Sequence, residues 1–340
     1  MSFEQLTDEE RKMIKDIEPH LPDHIRSLPK EKQREVLIGH IMKVREQSNS
    51  EALYFKSLEA YKAKDTNLYD LKNWVFDKRF IEILANAKAD QGRKRSPEDS
   101  KGALNGVEEV SPGVFRFPML DVKFAGRLID EVDYFQKWSE ENGVHVHRPN
   151  SMNNYGAILD HFGFRPVLQN LMKWAIDPLT TRFFPHVGRL DGDHHGFMVS
   201  YQKGKDTKLD FHRDDSEVTL NLCMGRKFKG GDLYFGGVRC LKHQQVPPTK
   251  EEEVTVGHEA GYALLHLGAH RHAAKHIEDG HRENLILWCR SETYRKRSTD
   301  QRCNPWCGCH APTVAAPCGT NNPQTSTTDP GDEKRDKRVS

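Results

Sequence analysis

The sequence predicts an α+β chain in which helices come first and a block of short strands follows. Three observations carry this reading. Residues 5–90 place apolar side chains at helical spacing. Residues 196–290 break into short apolar runs separated by turns rich in Gly, Pro and Asp. No strand–helix–strand alternation links the two parts, which argues against a doubly wound sheet and for a sandwich or barrel.

The elements follow in order. The chain has 340 residues, enough for one large domain and a smaller appendage. In "LTDEERKMIKDIEPHL", Thr7 is placed to cap a helix, with acids in the first turn. Val36, Leu37, Ile41 and Val44 recur at helical spacing, and "NSEALYFKSLEAYKAK" and "KRFIEILANAKA" continue the pattern. Residues 1–87 therefore read as a helical N-terminal region, a small appendage or partner-binding surface. Residues 88–107 are polar and read as a flexible linker, whose Arg93-Lys94-Arg95 run is a solvated charge cluster.

Residues 108–195 form a helix-rich lead-in. "GVFRFPML" reads as a short strand, and Phe124, Leu128, Val132 and Phe135 form one stripe of an amphipathic helix. "FRPVLQNLMKWAIDPLTTRFF" reads as a second helix, broken at Pro178. The strands "GFMVSYQ", "LDFH", "EVTLNLCM", "DLYFGG", "GYALLHL" and "RENLILWCR" occupy residues 196–297. Residues 298–340 are a Pro/Ser/Thr-rich tail, expected to be disordered.

Charge narrows the partners. The 51 basic residues nearly cancel the 50 acidic ones, so no global field draws nucleic acid or an anionic membrane. The N-terminus lacks the apolar core of a secretory signal, and no run of about 18 apolar residues exists to span a membrane. An intracellular protein, cytoplasmic or nuclear, with reduced thiols is expected. Three of its seven cysteines crowd into "CNPWCGCH". Cys303, Cys307, Cys309 and His310 have the donor types for zinc, but the C-x3-C-x-C-H spacing is tight, which favours a metal-free or redox-labile segment.

The chemistry concentrates in "LDFHRDDSEVTLNL". His212 and Asp214 stand two apart on a predicted strand and so share a face, while Arg213 turns away. A second histidine would complete a 2-His-1-carboxylate set, which leaves positions open on a non-haem Fe(II). His266, His270, His272, His276 and His281 are the candidates. If Glu278-Asp279-Gly280 is a three-residue hairpin loop, His276 lies directly opposite Arg282 and His272 four residues further, roughly 13 Å of strand. An arginine that grips the far carboxylate of a metal-chelated diacid needs about that separation. His276 leaves no room and His270 is too distant, so His272 fits. A two-residue Asp-Gly turn would reverse the parity.

The sets "HRD" at 212–214, "FKGGDLYF" at 228–235 and "HAAKHIEDGHR" at 272–282 resemble the Fe(II)- and 2-oxoglutarate-dependent dioxygenases of the prolyl 4-hydroxylase type. That family's pattern places a distal histidine ten residues before an Arg or Lys, as His272 stands before Arg282. "GVFRFP", "RPNSMNNYG" and "RENLILW" extend the resemblance over roughly residues 108–295, and "PNSMNNYG" is also similar to the catalytic domain of procollagen lysyl hydroxylases. One departure is His276, where the family often has proline.

The resemblance implies a double-stranded β-helix (jelly-roll) core. It implies Fe(II) on His212, Asp214 and His272, and 2-oxoglutarate as cosubstrate, held by Arg282 with help from Tyr201. L-ascorbate would serve as reductant. The implied reaction hydroxylates a C–H bond of a protein or small-molecule substrate, a protein side chain being favoured, with release of succinate and CO2. The alternative is a catalytically silent metal-binding jelly-roll acting as an interaction module. Among other residues, Asn221 is a candidate for the pocket lining. Asp215 and Glu217 are expected in solvent or bonded to a ligand histidine. Gly230 and Gly231 are expected to serve a tight turn, and Leu285 and Trp288 the core.

Overall fold

A computed structural model describes residues 5–89, 104–297 and Cys307 of the chain. Most of the expected linker, including Arg93-Lys94-Arg95, lies outside the described residues, as does the tail with Cys303, Cys309, His310 and Cys318. Helix Asp8–Ile17 starts on a reciprocal capping box: Glu10 N–H donates to Thr7 Oγ1, and Thr7 N–H donates to the Glu10 carboxylate. Leu6, Ile14, Leu21, Leu37 and Ile41 form a small core of their own with helix Lys30–Leu58.

The rest of the N-terminal region packs elsewhere. Leu58, Leu68, Trp74, Phe80, Ile83, Leu84 and Ala87 join the main core, together with the buried stripe Phe124, Leu128, Val132 and Phe135 of helix Val122–Glu141. Glu131 fixes that docking. It is fully buried, and its carboxylate accepts from Tyr61 Oη at 2.6 Å, Tyr69 Oη at 2.9 Å, and the backbone N–H groups of Lys64 at 3.1 Å and Asp65 at 2.8 Å. A buried carboxylate is tolerated when its lone pairs are met in this way.

The second predicted helix is widened, not broken. Arg165–Leu171 runs into one π turn, Met172–Ile176, and continues as Asp177–Phe183. Pro178 has no N–H, and its ring crowds the carbonyl four residues back. The ladder opens there, and Asp177 N–H reaches Met172 O.

The strands are β1 Glu108–Ser111, β2 Val114–Pro118, β3 Gly156–Ile158, β4 His194–Gln202, β5 Leu209–His212 and β6 Val218–Gly225. Then come β7 Phe228–Gly230, β8 Leu233–Val238, β9 Glu253–Val256, β10 Tyr262–Leu267, β11 His270–Ala274 and β12 Ile277–Cys289. The larger sheet runs β1-β2-β10-β6-β12-β4-β3 with β7 added to β12, and the smaller runs β5-β11-β8-β9. Every ladder between them is antiparallel. Between the sheets, Phe197, Val199, Leu264 and Ile286 meet Leu233, Phe235, Val256 and Ala274. The helices cover the other face of the larger sheet, through Met198, Leu220, Leu222, Leu265, Leu285 and Leu287. This is the α+β jelly-roll that the sequence predicts. Among the described residues no helix is long and apolar enough to cross a membrane.

One expectation fails. Glu278-Asp279-Gly280 is no hairpin loop, because β12 runs through it unbroken and lies in a different sheet from β11. The chain crosses between sheets just before Ile277, and Ile277 N–H is already bonded to Thr207 O at 2.8 Å. Gly280 has φ +79°, and a Cβ there would stand 2.1 Å from Lys227 O. The glycine serves close strand approach at an irregular β7–β12 pairing, not a reversal.

Glu131→Ala would leave two backbone donors and two hydroxyls without their buried acceptor. It should cost about 3 kcal/mol or more of stability, read from urea unfolding. A loss below about 1 kcal/mol would show that the Glu131 bonds do not hold the docking.

Candidate metal centre

The pocket follows from strand alternation. Along β12, Arg282, Asn284, Ile286 and Trp288 face the space between the sheets, while Leu285, Leu287 and Cys289 face the helical core. His212 at the end of β5 is the ladder partner of His272 on β11, and their rings stand 4.3 Å apart. Asp214 is not on the strand, as the sequence reading had it. It lies past the end of β5, where its N–H bonds Gly268 O at 3.0 Å. That bond turns the chain so that the carboxylate faces both imidazoles. Its Oδ1 is 3.5 Å from His212 Nε2, and its Oδ2 is 3.7 Å from His272 Nε2. One donor atom from each of the three residues lies within 4.8 Å of the others.

Hydrogen bonds aim these donors. His212 Nδ1 meets Asp210 O at 2.7 Å, and His272 Nδ1 meets His270 O at 3.0 Å. Carbonyls only accept, so each Nδ1 carries the proton and each Nε2 presents a lone pair to the centre. Thr219 Oγ1 donates to Asp214 Oδ2 at 2.6 Å. Burial pushes the Asp214 carboxyl up, but the adjoining imidazoles of His272 and His212 outweigh it and hold the group below the usual carboxylate range. Burial drives His272 down to about 3, against the pull of Asp214. An ionised carboxylate and a neutral imidazole are the forms that a metal requires. Two imidazoles and one carboxylate suit a non-haem Fe(II) with open positions.

Arg282 lies deeper. It is 1% exposed, and it pairs across the ladder with Tyr201, over whose ring its guanidinium carbon sits 4.5 Å from the centroid. Nη1 donates to Gly231 O, while Nε is buried without a hydrogen-bond partner. Among the described residues no carboxylate forms an ion pair with it. Burial pushes its pKa below the usual guanidinium range. A buried cation without an anion is costly, so the pocket is built to receive one. The planar fork suits a carboxylate.

The OGFOD2-like domain family profile matches residues 58–189, which include the pocket-lining Asn150, Met152 and Asn153. 2-Oxoglutarate and iron-dependent oxygenase domain-containing protein ICU11 of Arabidopsis thaliana is 46% identical over 202 residues, covering 59% of this chain and 51% of its own length. 2-Oxoglutarate and iron-dependent oxygenase domain-containing protein 2 of Danio rerio is 36% identical over 254 residues, covering 74% of this chain and 68% of the relative. The chain belongs to this family of 2-oxoglutarate and iron-dependent oxygenase domain-containing proteins. Human multifunctional procollagen lysine hydroxylase and glycosyltransferase LH3 is 26% identical over 181 residues, 52% of this chain and 23% of that protein. The chain spans about half the length of the plant relative. The family's name carries iron and 2-oxoglutarate.

Within this family fold the remaining sequence candidates sort by contact. His266 and His270 are buried against Phe235. His276 is exposed and outside the cluster, and His281 bonds Ser200 Oγ and Glu283. Asp215 pairs with Arg290 and Arg295, and Glu217 with Arg295, so neither supports a ligand histidine. Gly231, with φ +74°, does more than turn the chain: a Cβ there would come 3.2 Å from Arg282 Nη1. Trp288 packs against the inter-sheet core and also lines the pocket, with Nε1 unpaired among the described residues, and Leu285 is core. Asn221 lines the pocket and accepts from Asn284 Nδ2 at 2.6 Å. Sequence reasoning missed Thr219, Asn284 and Asn153, whose Nδ2 donates to Tyr201 Oη at 3.2 Å. Thr219 and Asn284 could have been found by reading the polar positions of alternating strands as inward.

Thr219→Val keeps the shape and removes the donor to Asp214. The Fe(II) dissociation constant should rise about 10-fold, measured by anaerobic titration. An unchanged constant would remove Thr219 from the support of the site.

Proposed function

We propose that this chain is an Fe(II)- and 2-oxoglutarate-dependent dioxygenase that hydroxylates a C–H bond, releasing succinate and CO2. One observation carries the reading. A single pocket holds three convergent metal donors and a buried arginine that, among the described residues, has no ion-paired carboxylate. His212, Asp214 and His272 would hold the iron, and Arg282 would hold the far carboxylate of 2-oxoglutarate. When bound, the iron and 2-oxoglutarate supply the O2 chemistry that no side chain can perform.

The chain's own residues do the rest. The carbonyls of Asp210 and His270 keep both imidazoles in one tautomer. Thr219 steadies the carboxylate. Tyr201, itself held by Asn153, supports the guanidinium from below. Phe197, Ile286 and Trp288 give the pocket apolar walls that limit water. A protein side chain is the substrate class that the similarity to the lysine hydroxylase LH3 supports. Ascorbate, as the reductant that keeps the iron ferrous, belongs to the same proposal.

Succinate release from 2-oxoglutarate tests it. His212→Ala and His272→Ala should fall to background, and His276→Ala should keep wild-type turnover. Arg282→Ala should raise the KM for 2-oxoglutarate about 100-fold, since losing one partner of a buried charge pair costs roughly 2–5 kcal/mol. Normal turnover in His272→Ala with a dead His276→Ala would overturn the ligand assignment. Iron-loaded protein that yields no succinate with peptides or amino acids would leave a silent metal-binding roll.

A further inference from the structure

Arg213 stands between two candidate iron ligands and turns away from both. Its Nε and Nη1 atoms are buried and have no hydrogen-bond partner among the described residues. Cys240, Cys307 and Tyr294 are near enough to influence its charge, and none of them lines the pocket.

Three soft donors gather there. Cys240 and His243 flank one 3-10 turn, Leu241–His243, so a Cys-x-x-His spacing brings both side chains to one side of it. Cys240 Sγ stands 3.1 Å from His243 Nδ1. Cys307 is 67 residues further along the chain, yet its Sγ accepts from Cys240 N–H at 3.3 Å. One donor atom from each of Cys240, His243 and Cys307 lies within 4.8 Å of the others. The two cysteines are 7% and 2% exposed.

We propose that Cys240, His243 and Cys307 bind a structural zinc ion that clamps the chain beyond helix Glu292–Arg297 onto the loop after β8. Thiolate and imidazole are the donors that zinc selects, and a short C-x2-H turn with a distant cysteine is a normal way to assemble them. A backbone N–H aimed at Cys307 Sγ is the bond that steadies a metal-bound sulfur. Zn²⁺ with two thiolates is neutral, so the cluster can be buried, and its sulfurs give Arg213 electron-rich neighbours. Among the described residues three donors converge, and a tetrahedral zinc takes one more. The cluster neighbours Arg213 and lies outside the pocket lining.

The site differs from the one the sequence offered. "CNPWCGCH" alone has the wrong spacing for zinc, and the partners that Cys307 meets come from a loop between strands. The proposal is independent of the dioxygenase reading, because it uses none of the pocket's residues.

Metal analysis of the full chain, purified without strong chelators, tests it. About one zinc per chain is expected, and it should remain in His272→Ala, which empties the iron pocket. Cys307→Ser and His243→Ala should lose the zinc and keep Fe(II) binding in the pocket. Wild-type protein loaded with Co(II) needs no variant: it should show thiolate-to-metal charge-transfer absorption, which a pocket of two histidines and an aspartate cannot give. A Cys240–Cys307 disulfide in non-reducing peptide maps would overturn the proposal. So would zinc that persists in Cys307→Ser, or a Co(II) spectrum without the thiolate band.

Discussion

The molecule depends on the two-residue repeat of one central strand. β12 is hydrogen-bonded to β6 on one side and β4 on the other, so its register cannot slip without moving both. Its odd-numbered residues Leu285, Leu287 and Cys289 carry the helical layer, and its even-numbered residues Arg282, Asn284, Ile286 and Trp288 line the pocket. A shift of one place would bury the arginine among the helices and put leucines in the pocket. The apolar half of the strand therefore holds the polar half in position, and the depth of Arg282 is a by-product of core packing.

The pocket places opposite charges at two levels. The Asp214 carboxylate has two imidazoles and a threonine hydroxyl to answer it. The Arg282 guanidinium has a tyrosine face and one carbonyl and, among the described residues, no carboxylate in an ion pair. Each is buried, and each would cost several kcal/mol if left unanswered. One is arranged for a cation and the other for an anion. That asymmetry, more than the count of histidines, gives the pocket its chemical character. Between the two candidate iron ligands, Arg213 has Cys240 and Cys307 for neighbours.

Much of this was legible in the residues. Helical spacing predicted the buried stripe of Val122–Glu141, and the short apolar runs predicted the strands, because burial imposes periods of 3.6 and 2 on any sequence that folds this way. His272 and Arg282 line one pocket, but no hairpin at Glu278-Asp279-Gly280 sets their separation, because the strand there is unbroken. A glycine at positive φ looks the same in sequence whether it reverses a chain or lets two strands touch. Asp214 likewise reaches His212 from beyond the strand end, through a bond to Gly268 that no spacing rule contains.

The sequence by itself determined the order of helices and strands and the residue types of the candidate metal site, since these rest on periodicity and short spacing within single segments. Only the tertiary structure decided that Leu58 to Ala87 pack into the main core, that Glu131 receives two tyrosines and two backbone donors, and that Thr219 and Asn153 support the site. It alone brought Cys307 to Cys240 and His243. The physical reason is common to all of these. Each is a contact between segments far apart in the chain, and a buried polar atom takes whichever partner the packing of apolar surfaces delivers to it.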